Sequence, residues 1–220
     1  MPKPVKSLPV AGGDVFSVEG HTAFLVLPPQ PTPGRTIPWV WYAPTLPGLP
    51  GAEEQWMFEK FLNAGIAVAG IDVGESYGSP AGRRLFSSLD RKLVVERGLS
   101  PQACLLARSR GGLMLLNWAA DHAESVACIA GIYPVSNIAS YPGIPTACGA
   151  YGLTAEQLTT KLPEYNPIDR TEPLASAGVP IFIIHGDHDG RVPLDKNSAI
   201  LADHYRQYGG KITLNILEGR

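Results

Sequence analysis

The chain has 220 residues, of which 45% are hydrophobic and 17% charged, and its formal net charge is −2. That length can bury a substantial core, and the near-neutral balance argues against nucleic acid or an anionic membrane surface as partner, since both call for a basic face. No apolar run reaches the roughly 18 residues of a membrane span.

The N-terminal Met1-Pro-Lys-Pro-Val-Lys-Ser carries two lysines without an apolar stretch behind them. It does not read as a signal peptide, so a cytoplasmic location is the expectation. Residues 15–18 and 22–27 flank Glu19-Gly20-His21, the pattern of a hairpin. A proline-rich connector at 28–33 is expected at the surface. Strand and helix patterns then alternate. A strand at 38–43 leads to a helix at 53–63, with Trp56, Phe58, Phe61 and Leu62 at helical spacing and Gly65 as its stop. A strand at 66–72 leads to a helix at 83–97, with Leu85, Phe86, Leu89 and Leu93 on one side. A strand at 103–107 leads to a helix at 110–122 that is apolar nearly all round, as in a central buried helix. A strand at 125–133 is followed by the proline-punctuated stretch 136–178, with one short helix pattern at 154–162. That stretch reads as a small insertion or as a long surface connection. A strand at 180–185, a helix at 194–208 with Leu201, Tyr205 and Tyr208 on one face, and a strand at 211–217 complete the series. Strands this continuously apolar are expected in a parallel sheet covered on both faces, and repeated strand–helix–strand units imply an α/β fold of that kind. The 220 residues read as one domain with the insertion at 136–178.

Cys104, Cys128 and Cys148 lack metal-ligand spacing, and Cys104 and Cys128 sit in apolar runs. They read as buried thiols. No second cluster accompanies Asp187-His188-Asp189, and three adjacent side chains rarely converge on one ion, so neither a metal nor another cofactor is expected.

The chemistry-bearing signal is Ala107-Arg-Ser109-Arg-Gly111-Gly112, set directly between a strand and the buried helix. A serine on so sharp a turn projects its hydroxyl above the sheet edge as a nucleophile. The helix N-terminus and the Arg110 N–H would then face the oxyanion of a tetrahedral intermediate. The bland alternative is an ordinary helix-capping serine. The second signal is His185-Gly-Asp-His-Asp189-Gly-Arg-Val192-Pro193, a polar loop between a strand and a helix.

His-Gly-x-x-Asp-x-x-Val-Pro is similar to the acid loop of the α/β-hydrolases, especially the branch of prolyl-oligopeptidase-like enzymes, dienelactone hydrolases and many esterases. Asn166-Pro-Ile-Asp169, residues 174–180 and the doubled glycine after Ser109 resemble the same branch, although Ala107 stands where that family has its first glycine. The resemblance spans about residues 36–217 and implies an α/β-hydrolase fold, with an antiparallel hairpin at its N-terminus. It implies Asp189 as the acid that orients a catalytic imidazole, with Asp187 as competitor and His185 as a structural end to the strand. It implies a second oxyanion donor in the Pro44-Thr-Leu-Pro-Gly48 loop, at Thr45 or Leu46 because proline has no N–H. It also places Glu75 and Tyr77 in a loop lining the substrate pocket, where a solvated turn is the plain alternative.

The order implied by the resemblance is serine, acid, histidine, with the histidine after the last strand. The last histidine here, His204, lies mid-helix, and His21 and His122 read as surface residues. The family's closing helix does not follow residue 217 either, which would leave apolar sheet surface uncovered. The expectation is a sequence cut short of its general base. Three functional readings follow. The first is a serine hydrolase of carboxylic esters working through an acyl-enzyme at Ser109. The second is a prolyl-oligopeptidase-like serine peptidase, and the third a non-catalytic pseudo-hydrolase. The implied partner is a small ester or short peptide, and oligomeric state is not legible.

Overall fold

Alternating apolar runs become strands because burial on both faces leaves their backbone groups no partner except a neighbouring strand. In the computed structural model, which describes residues 5–30, 34 and 36–220, these runs are β1 (Gly13–Val18), β2 (His21–Val26), β3 (Trp39–Ala43), β4 (Ala67–Ile71), β5 (Ala103–Arg108), β6 (Val126–Ile132), β7 (Ile181–Gly186) and β8 (Ile212–Leu217). They form one sheet in the order β1-β2-β4-β3-β5-β6-β7-β8. The β1/β2 hairpin joins β4 antiparallel, and every later pairing is parallel. Every residue of β3 and β4 is buried. Part of the predicted 28–33 connector lies outside the described residues.

The main helices are α1 (Gln55–Asn63), α2 (Pro80–Arg91), α3 (Gly111–Asp121) and, late in the chain, α8 (Ser198–Gln207). One sheet face carries α2, α3 and α8 over a core that includes Trp39, Trp41, Trp118, Phe86, Leu115 and Tyr205. The Trp41 ring lies tilted against Trp118 and Phe86, with centroids 4.7 and 5.1 Å away. On the other face α1 sets Phe58 among Phe24, Tyr42, Val68 and Leu106. Beyond β5 that second face stays open. Phe182 is 49% and Leu217 43% exposed there, and the register puts both on the same side.

Several elements depart from the sequence reading for local reasons. Ser79 caps α2 through the Gly82 N–H and Pro80 opens it, so the helix begins earlier than 83. Residues Lys92–Glu96 then continue as a π-turn. Residues 194–208 divide into a 3₁₀ turn at Leu194–Lys196 and α8. Within 136–178 lie four short helices rather than one: α4 (Ile144–Ala147), α5 (Ala155–Thr160), α6 (Leu162–Tyr165) and α7 (Glu172–Ser176). Trp56, expected on the packed side of its helix, is 70% exposed and lies under the Lys60 ammonium. His122, expected at the surface, is half-buried, with its ring against Trp118 and its Nε2 on Ser87 Oγ.

The cysteine expectation needs correction too. Cys104 and Cys128 are not thiols but a disulfide, with Cα atoms 4.7 Å apart. They face each other across β5 and β6, a register that their 24-residue separation does not reveal. No helix among the described residues is long and apolar enough to cross a membrane.

Candidate active site

Ser109 follows β5 directly and has φ 50°, a left-handed conformation that costs a non-glycine residue about 1–3 kcal/mol. The surroundings impose it. The Ser109 N–H donates to Ile132 O, while its carbonyl accepts from Gly112 N–H and Val135 N–H, all at 2.8–3.0 Å. The two following glycines are steric requirements. A Cβ on Gly111 would lie 2.1 Å from Ala43 O, and one on Gly112 2.3 Å from Val135 O. Backbone from β3 and from the segment after β6 therefore presses on the start of α3. This close approach forces the chain to turn at Ser109 and leaves its side chain partly exposed.

The loop after β3 rises beside this turn. Thr45 is buried, bridges in parallel to Asp72, and donates its hydroxyl to Tyr42 O at 3.3 Å. Leu46 and Leu49 exchange backbone hydrogen bonds, at 3.3 and 2.9 Å. The Leu46 N–H is thus already committed. Lys6 Nζ donates to Leu46 O at 2.8 Å, a contact that burial strengthens while pushing the Lys6 ammonium below its usual range.

Arg110, the first residue past the serine, pairs its guanidinium with Glu75. The two predicted pocket residues differ in setting. Glu75 is exposed and ion-paired to the elbow, whereas Tyr77 is strained at φ 47° and partly buried. Tyr77 accepts the Tyr151 hydroxyl on its carbonyl at 2.7 Å. It packs with Tyr141, Ile144, Cys148 and Tyr151 against a buried cluster of Leu113, Val135, Ile138 and Val192. The 136–178 stretch is thereby tied to the elbow helix.

The acid loop is built differently. Asp189 Oδ1 accepts the Arg191 and Val192 N–H groups at 2.9 and 2.8 Å. These two bonds orient the carboxylate, with its other oxygen 3.9 Å from His185 Nε2. Asp187 faces the other way. Its Oδ1 takes the Gly219 N–H at 2.8 Å and His188 Nδ1 at 2.7 Å. The His188 hydrogen bond is the main reason its carboxyl titrates below the usual range.

The five histidines all have other engagements. His185 is buried between Ser198 Oγ and Val192 O. His204 Nδ1 contacts Ile168 O, and His21 Nδ1 contacts Asp72 O. His188 is on Asp187 and His122 on Ser87. None hydrogen-bonds to Ser109.

Sequence reasoning missed a buried polar cluster beneath the elbow. Arg108 reaches Glu54 with Nη1 and donates from Nε to the Tyr133 hydroxyl at 2.9 Å. An arginine ending an apolar strand, with the acidic pair Glu53-Glu54 just before α1, was the available signal.

The fold recurs in solved structures. Dipeptidyl peptidase 4 of Porphyromonas gingivalis superposes with a TM-score of 0.74 at 14% identity, covering 95% of this chain and 32% of that one. A puromycin-hydrolyzing peptidase of Mycobacterium tuberculosis gives 0.74 at 16% identity, covering 96% and 36%. The Pyrococcus horikoshii acylaminoacyl peptidase gives 0.69 at 16%, covering 94% and 36%. The chain thus spans about a third of the length of these structures. At such identities the likeness establishes the α/β-hydrolase fold and no more. No curated protein sequence matches. The family model described as prolyl oligopeptidase family does match, over residues 100–219, which include the Ser109 elbow, the acid loop and more than half of the chain. The chain therefore belongs to the prolyl oligopeptidase family.

Proposed function

We propose that the protein is a serine peptidase acting on short peptides through an acyl-enzyme at Ser109. The observation that carries this reading is the strained serine wedged between β5 and α3 by the two glycines. The Ser109 hydroxyl attacks the scissile carbonyl. The Arg110 N–H and the Thr45 N–H stabilise the oxyanion. Asp189 orients an imidazole through its free carboxylate oxygen. A serine needs such a base to react at neutral pH, and because all five histidines here are engaged elsewhere, we assign that role to a histidine outside these 220 residues. Glu75 and Tyr77 contact the substrate, and 136–178 is a small insertion in a single hydrolase domain whose aromatic wall receives a substrate side chain.

Family membership favours peptides over the carboxylic esters that the bare sequence suggested. Comparing kcat/KM of the whole protein on dipeptide anilides and on short p-nitrophenyl esters decides between them. Preference for the anilides is expected once intrinsic leaving-group reactivity is allowed for. A clear preference for esters restores the esterase reading, and activity on neither supports the pseudo-hydrolase.

A further inference from the structure

Glu54 immediately precedes α1, and its side chain is only 2% exposed. A carboxylate that deep costs several kcal/mol of lost hydration unless its oxygens are met. Here both are. Oε1 takes the Arg108 guanidinium, and Oε2 takes the Gly51 N–H at 2.6 Å. Gly51 closes the loop that carries Thr45, and Arg108 is the residue before Ser109. From the same guanidinium, Nε reaches Tyr133, which follows β6. Tyr133 is itself anchored, its N–H on Ile184 O at 2.8 Å. The Tyr42 ring is buried against the pair, facing both Glu54 and Arg108.

These contacts form a strut across the sheet's top edge, from the loop after β3, through the end of β5, to the segment after β6. As a source of stability it is poorly chosen, because a buried ion pair seldom outperforms apolar side chains of similar volume. As a source of position it is well placed. One carboxylate sets the distance between the loop supplying one oxyanion donor and the strand supplying the nucleophile.

We propose that Glu54 and Arg108 are positioning residues that lock the Thr45–Gly51 loop and the Ser109 elbow into one rigid oxyanion site. The proposal rests on the peptidase reading above. It predicts that the pair governs kcat and leaves substrate affinity nearly untouched, since a shift of about 1 Å at the reacting centre can cost about a hundredfold in rate.

The test uses the whole protein and a dipeptide anilide. The double variant Glu54→Met/Arg108→Met replaces the pair with apolar side chains. The expected result is an unchanged or higher Tm, a kcat about tenfold to a hundredfold lower, and KM within about threefold of wild type. Glu54→Gln, which keeps an acceptor for Gly51, is expected to fall between the two. Unchanged kcat in a folded double variant overturns the proposal. If the double variant does not fold, Glu54→Gln decides alone, and wild-type kcat there also overturns it. If wild type cleaves no anilide, the peptidase reading has failed rather than the strut. Amide hydrogen exchange then judges the strut separately. Exchange rising together at 45–51 and 109–112 in Glu54→Gln supports it, and unchanged protection at either segment refutes it.

Discussion

The two halves of the candidate site are held by different forces. The elbow is fixed by hard contact, with backbone from β3 and from the segment after β6 pressed against Gly111 and Gly112 so closely that no side chain fits. The acid loop is fixed by hydrogen bonds on an exposed surface, with Asp189 bracing two backbone N–H groups and Asp187 tied to Gly219. Sterics tolerate no adjustment, whereas a hydrogen-bonded loop exchanges partners with water at small cost. Substitutions at Gly111 and Gly112 should therefore act through folding, and those at Asp189 through chemistry.

The sharpest way to probe this contrast is Asp189→Asn. The amide oxygen can still accept from Arg191 and Val192, so Tm should move little. Orientation of the catalytic imidazole should fail, and kcat should drop by about 10⁴. Steady-state kinetics with a melting curve tests both halves of the claim, and a large fall in Tm would show that the loop too is sterically locked. Gly111→Ala is the converse case. A methyl group 2.1 Å from Ala43 O must push β3 and α3 apart, at a cost of about 3 kcal/mol or more. Denaturant unfolding should find the variant strongly destabilised, and near-native stability would contradict the steric account.

How far the sequence foretold this division follows from the same forces. Glycines forced by contact leave a mark that composition alone shows, so the Ser109 turn and its flanking elements were legible from Ala107 to Gly112. The apolar strands were legible within a residue or two, most plainly β3 and β4, where burial on both faces dictates the composition. Long-range pairings left no such mark. The Cys104–Cys128 disulfide depends on the register of β5 against β6. The Glu54–Arg108 pair depends on the sheet order that sets β3 beside β5. Leu46, one of two alternatives for the second oxyanion donor, gives its N–H to Leu49 through a local turn that the two prolines obscured. The Asp189 loop was legible only through its resemblance to a known loop, since nothing in its spacing alone separates Asp189 from Asp187.

The smallest expected effect separates those two aspartates. Asp187's carboxyl titrates low because His188 and the Gly219 N–H favour its ionised form. A depressed pKa in the folded state means stability that is present above the unfolded value, about 3.9, and is lost as pH falls through the folded value. Asp187→Asn should thus lower Tm slightly near neutral pH, with the two melting curves converging at the acid end. Its kcat should stay close to wild type. A loss of activity comparable with that of Asp189→Asn would make Asp187 the orienting acid.

The most direct test of the account is to treat the whole protein with a fluorophosphonate and locate the adduct by peptide mass mapping. The account predicts one stoichiometric modification, on Ser109, formed rapidly at neutral pH and absent from Ser109→Ala. An adduct on any other residue, or no adduct in a folded protein that contains the missing histidine, would contradict the assignment of Ser109 as nucleophile.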